Sequence, residues 1–119
     1  MFEKLVSTLF ASRTQAHVFH LQSKSYSEHV ALQSYYDGIL GLTDGLIESY
    51  QGKNGIISGY TSPSKFDDST GDNVLKYFKG LAIFIEKAHS KFEESWIQNQ
   101  IDTISELVYT TIYKLENLK

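Results

Sequence analysis

Residues 16–48 read AHVFHLQSKSYSEHVALQSYYDGILGLTDGLIE. The stretch holds three of the chain's four histidines, His17, His20 and His29. It crosses a polar break, Gln22–Ser27, and then runs into a long helical pattern that carries Asp44 and Glu48. Ser25 followed by Glu28 fits a Ser-x-x-Glu capping box, which starts a helix near Tyr26. Beyond it Leu32, Tyr35 or Tyr36, Ile39, Leu42 or Leu46, and Tyr50 keep helical spacing, and Gly52 is the expected stop. The break therefore joins two helices, and the fold follows from what surrounds them.

Upstream, Phe2, Leu5, Val6, Leu9 and Phe10 recur at steps of three and four, continued by Ala16, Phe19 and His20. Downstream, residues 52–71 contain four glycines and the only proline, Pro63. Such a loop, about 20 residues long, is uncommon in a compact domain without a job. Extended, it reaches about 60 Å, whereas a 25-residue helix is about 38 Å long. It can therefore span a bundle and deliver the third helix parallel to the second, as ferritin-like bundles do. Asp72 is a good N-cap for a third helix, with Val74, Phe78, Leu81, Ile85 and Ala88 as its apolar stripe. Ile97, Ile101, Ile104, Val108, Ile112 and Leu115 define a fourth, with Glu93 and Glu94 at its positive dipole end. The expectation is an all-α, ferritin-like four-helix bundle in one domain, with helices at about 2–22, 26–51, 72–90 and 93–117 and a long crossover between helices 2 and 3.

Composition narrows the function. The 119 residues are 41% apolar and 13% aromatic, enough for a core. There is no cysteine, hence no disulfide, thiolate metal site or redox dithiol. Net charge is −3 and the basic residues are scattered, which disfavours a nucleic-acid partner. No apolar run approaches the roughly 20 residues that cross a bilayer, and MFEKLVSTLF lacks the pattern of a signal peptide. A soluble, cytoplasmic protein is expected, with no membrane partner.

The chemistry lies in the opening stretch. His17 and His20 are i and i+3 on one helix and share a face. An antiparallel turn near residue 24 brings His29 alongside. Taken singly, each histidine is more often an ordinary core or surface residue; three in one stretch argue for a joint role. Asp44 and Glu48 are i and i+4, also on one face, the pattern of an ordinary solvated acidic face as well. His29 and Asp44 lie about 22 Å apart along a helix axis, so they cannot share a metal within one chain, yet they project from sides only about 60° apart. Two copies of the second helix packed antiparallel about a two-fold axis near residues 37–38 bring His29 of one opposite Asp44–Glu48 of the other. Gly38, Gly41 and Gly45 share a helix face, and Gly38 and Gly41 are expected beside that axis. Imidazole and carboxylate donors suit iron and zinc.

This pattern resembles that of the Dps mini-ferritins. Their ferroxidase sites combine a first-helix His and a second-helix His with an Asp fourteen intervening residues on and a Glu three further. His29, Asp44 and Glu48 keep that downstream spacing. The first-helix His-x-x-His-Trp of the family is matched by His17, Val18, Phe19, His20 and Leu21. His20 is the equivalent ligand if the inter-helix loop is three residues shorter, and His17 if no gap is allowed. The resemblance implies Fe2+/Fe3+ as the metal, with zinc as the other metal such donors accept. It implies ferroxidase or iron-sequestration chemistry at His20, His29, Asp44 and Glu48, with His17 in support. It also implies sites bridged across a two-fold homodimer or a larger shell built from it. Departures are Leu21 for Trp, Gln33 at an often acidic position, Ser49 where Arg commonly follows the Glu, and no short helix in the crossover. The chain also looks like short ferritin-like proteins encoded by tailed phages. The alternative is a non-enzymatic helical interaction protein, its tyrosines serving as interface anchors, with a vestigial or zinc-occupied site.

Overall fold

The computed structural model describes all 119 residues, in four α-helices and no strand: α1 (Phe2–Gln22), α2 (Tyr26–Asn54), α3 (Asn73–His89) and α4 (Ser95–Asn117). The α1–α2 break falls where expected. Ser25 Oγ accepts from the Glu28 N–H at 3.3 Å. The reciprocal half of the capping box is replaced, because the Ser25 N–H donates to Ser23 Oγ at 3.2 Å instead of to Glu28.

Two boundaries and one cap differ from expectation. Gly52 does not stop α2; one exposed glycine costs only about 1 kcal/mol in a helix. The helix ends where the backbone takes positive φ, at Gly55 (φ 86°), whose N–H donates to the Gln51 carbonyl at 2.8 Å. Asp72 occupies the α3 cap position without a side-chain cap bond. The α4 helix starts at Ser95, not Glu93, with Glu94 at its N-cap. The Glu94 carboxylate is engaged elsewhere, accepting from Lys53 Nζ at the end of α2 at 2.8 Å.

That hydrogen bond from Lys53 is the main reason Glu94 is held below its ordinary carboxylate range. A lowered folded-state value means the pair stabilises the fold fully above the ordinary Glu range and loses that contribution as pH falls through the lowered value. Lys53→Ala should bring the Glu94 titration back up toward the ordinary value, read by NMR of its side-chain carboxyl carbon.

Aromatic contacts fix the helix directions. Phe2 stacks on Tyr50 with centroids 3.7 Å apart, so the start of α1 meets the end of α2 and the two are antiparallel. Phe92, just past α3, sets its edge against Phe2 (5.9 Å) and Tyr50 (6.4 Å). The α3 helix therefore finishes where α2 finishes, and α4 returns. The α2 helix packs between α1 and α4, and α3 packs mainly on α4. Residues 55–72 run back alongside α1. Thr61 N–H donates to Ser7 Oγ at 3.0 Å, Asp67 N–H to Gln15 Oε1 at 2.8 Å, and Ser69 N–H to Gln22 Oε1 at 2.8 Å. Gln15 Nε2 also donates to the Asp67 carbonyl at 2.9 Å.

These bonds explain polar residues that the apolar pattern leaves aside. Ser7 and Gln15 are buried on α1 because the returning segment covers them. Gln15 gives both ends of its amide to one residue's backbone, in the manner of a strand neighbour. Gln15→Ala should cost about 1–3 kcal/mol, the range for an orphaned buried polar group. It should also raise hydrogen exchange at the Asp67 amide while the amides of α3 and α4 stay protected.

The core gathers Leu5, Leu9 and Phe19 from α1, Leu32, Tyr35, Ile39 and Leu46 from α2, Phe78 and Ile85 from α3, and Ile97, Ile101, Ile104 and Val108 from α4. Tyr35 is fully buried and shares a 2.7 Å hydrogen bond with Ser12 Oγ. Burial pushes its phenol well above the ordinary tyrosine value, so it stays protonated.

The glycines of α2 correct one expectation. A methyl on Gly38 would lie 3.3 Å from Leu107 Cδ2, and one on Gly45 would lie 3.9 Å from Gln100 Oε1. Both residues belong to α4, so the bare positions face α4 of the same chain, not a two-fold axis beside Gly38. Only Gly41 of the three is open, with nothing within 4 Å of the added methyl. Helical periodicity puts glycines on one side; which neighbour lies on that side is a property of the bundle.

Candidate metal centre

The end of α1 and the start of α2 are locked by a reciprocal pair of hydrogen bonds. Nδ1 of His20 donates to the His29 carbonyl at 2.7 Å, and Nδ1 of His29 donates to the His20 carbonyl at 2.9 Å. A carbonyl oxygen only accepts, so both Nδ1 atoms carry protons. In the neutral ring the lone pair then sits on Nε2, the state in which a metal-binding histidine is oriented by a carbonyl behind it. The two rings stack, with centroids 3.5 Å apart and planes 20° from parallel. His20 is 7% exposed and His29 is half-buried.

His17 is exposed. Its ring lies 5.9 Å from that of His20 and stacks on Tyr36 at 4.5 Å. Tyr36 also turns its face or edge to His20, at 5.3 Å and 84°. Sequence reasoning left Tyr35 and Tyr36 as alternatives for one core position. The structure gives them separate roles: Tyr35 is core, and Tyr36 supports the histidines. The signal available was its spacing of seven residues from His29, two helical turns along the same side.

The three imidazoles thus gather at one end of the hairpin as expected, His20 and His29 stacked ring on ring and His17 tilted edge-on to His20. The Nδ1 atoms of His20 and His29 are committed to the backbone. Asp44 and Glu48 are both exposed and line one shallow hollow with Phe10, Ile47 and Tyr60. Phe10 and Tyr60 meet across it at 5.9 Å. The histidines and the carboxylates are not brought together within one chain, and no group of three or more His, Asp or Glu side chains is placed to hold a metal. What each chain presents is two separated donor sets, nitrogen at one end of the α1–α2 hairpin and oxygen further along it. The donor chemistry fits a metal only if a second chain completes the set.

Leu21, next to His20, is 71% exposed. No helix is long and apolar enough to cross a membrane.

The model of one protein family, described as a family of unknown function (DUF5856), matches residues 20–115. The match opens at His20 and takes in His29, Asp44, Glu48 and most of the bundle. No curated protein and no solved structure matches the chain. With most of its length, from His20 to Leu115, inside the match, the chain belongs to the family of unknown function DUF5856.

Proposed function

We propose that this chain is a ferritin-like, iron-binding protein of mini-ferritin type, working as a two-fold homodimer or a larger assembly of such dimers. Each site takes His20 and His29 from one subunit and Asp44 and Glu48 from its partner, with His17 and Tyr36 backing the imidazoles. The substrate is Fe(II), and the reaction class is its oxidation by peroxide or O₂, since two nitrogens and two carboxylates leave coordination positions open. The ferritin-like assignment rests on two antiparallel hairpins, α1–α2 and α3–α4, joined by a segment running the length of α1.

The observation that carries the reading is the His20–His29 clasp. Two buried or half-buried imidazoles hold each other's Nδ1 proton on a carbonyl and keep Nε2 for another partner.

Anaerobic titration of apo-protein with Fe(II), followed by peroxide, tests it. Saturable binding and a rise in ferric absorbance are expected, both lost in His29→Ala. Zinc should compete for the same donors. A titration that never saturates, or one that His29→Ala leaves unchanged, would remove the iron reading and leave a helical structural or interaction protein.

A further inference from the structure

Arg13 is the only arginine in the chain. It sits exposed in the middle of α1. Asp37 sits exposed in the middle of α2. The ion pairs within the chain join the amino terminus to Glu3, Lys53 to Glu94, Lys79 to Glu116 and His89 to Asp102, leaving Arg13 and Asp37 both unpaired. Along α2 the exposed residues Tyr26, Val30, Asp37, Leu40, Asp44 and Glu48 recur at helical spacing and form an outward stripe. Three of the six are carboxylates, while Tyr26, Val30 and Leu40 are 82%, 41% and 38% exposed.

The register that completes the metal site decides what this stripe meets. Seating Asp44–Glu48 of one copy on His29 of the other makes the two α2 helices cross near residues 37 and 38. Asp37 then lies beside the partner's Asp37, at about the 8–10 Å spacing of packed helices. Two carboxylates so placed repel each other more strongly as water leaves. The compensating charge is already in place. Because α1 is antiparallel to α2, it runs parallel to the partner's α2. With His20 level with the partner's Asp44–Glu48, Arg13, seven residues earlier, falls level with the partner's residues 37–41.

We propose that Arg13 pairs with Asp37 of a second copy across the two-fold axis, and that this ring of two arginines and two aspartates sets the register in which the half-sites meet. The occupant of the α1–α2 face is thus another copy of this chain. The pairing rests on the bridged-site reading, and it names the charges that hold the register. A planar guanidinium suits this place, since it can bind one carboxylate with two parallel hydrogen bonds while screening the other. The exposed apolar residues of the stripe supply contact area around the charged centre, and the open side of Gly41 admits a neighbouring helix.

The test is the dimer dissociation constant of the full-length, metal-free chain, measured by sedimentation equilibrium and native mass spectrometry at low and high salt. Arg13→Asp and Asp37→Arg should each weaken the dimer about tenfold or more, as expected when like charges are forced together at an interface. The double variant Arg13→Asp/Asp37→Arg should recover most of the wild-type affinity. Wild-type dimers should weaken as salt rises. Both side chains are exposed in the single chain, so the helical circular dichroism spectra of the variants should match wild type, separating interface loss from misfolding.

Dimers indifferent to both single reversals, or a double variant no better than the singles, would overturn the pairing while leaving the iron reading standing. A wild-type chain that stays monomeric throughout would overturn both. Charge reversal that behaves as expected in a protein with no saturable Fe(II) binding would keep the pairing and remove the iron reading.

Discussion

Mixing His29→Ala chains with Asp44→Asn/Glu48→Gln chains should restore iron sites that neither variant has alone. Each variant by itself should lose tight Fe(II) binding by more than about 100-fold, since even residues behind a metal's direct ligands cost 10–100-fold. In a bridged dimer, however, the two defects segregate. One site of a mixed dimer receives both defects and is lost. The other receives intact histidines from the Asp44→Asn/Glu48→Gln chain and intact carboxylates from the His29→Ala chain. Random re-association of equal amounts yields mixed dimers as half of the population, each with one working site. The expected recovery is therefore about a quarter of the wild-type site number. The measurement is Fe(II) stoichiometry after the two proteins are unfolded together and refolded. Recovery of none would show that the donors do not meet across subunits. Wild-type-like binding by either variant alone would show that its altered residues are not ligands. The exposed position of Asp44 and Glu48 makes fold damage a poor explanation for their loss of binding.

Phe78→Ala should be the most damaging single change to the fold itself. The ring is fully buried on α3, edge-on to Tyr35 at 4.9 Å and to Tyr77 at 5.5 Å. Through Tyr35 it joins α3 to α2, the diagonal of the bundle. Truncation removes the transfer energy of the ring and leaves a hole that stiff neighbours cannot fill, costing about 3–5 kcal/mol. Aromatic pairing adds to this loss. Against a total of about 5–15 kcal/mol for a small domain, that is a large fraction. Thermal midpoints should fall by about 10–20 °C, and the urea midpoint should fall with little change in slope. The contrast is Ile83→Ala on the same helix. That side chain is 54% exposed, and the change should stay within about 0.5 kcal/mol. A loss at Phe78 no greater than at Ile83 would mean that the core is not packed around the Tyr35–Phe78 contact.

The legible part of the fold was what short-range chemistry imposes. Apolar spacing marked the four helices, and Ser25 with Glu28 marked the start of α2. The missed ends are instructive. Gly52 and Gly55 are the same residue type three positions apart, and only the one that takes positive φ ends the helix. At α4, Glu94 was expected to serve the helix dipole from inside the first turn; it lies at the cap, with its carboxylate drawn to Lys53 on another helix. Such choices depend on partners distant in the chain, which no local pattern contains.

The site divides along the same line. The sequence by itself determined the donor inventory: imidazoles near one end of a helical hairpin, carboxylates 15 or more residues further along, and no thiolate. Rise per residue alone keeps the two sets apart within one chain. Tertiary structure decided how the donors are held. It set His20 and His29 ring on ring with both Nδ1 protons on carbonyls, gave Tyr36 to His17, and turned Gly38 toward Leu107 of α4. Tautomer, ring orientation and helix neighbour all follow from which backbone carbonyls and side chains arrive alongside, and packing of the whole bundle brings those together.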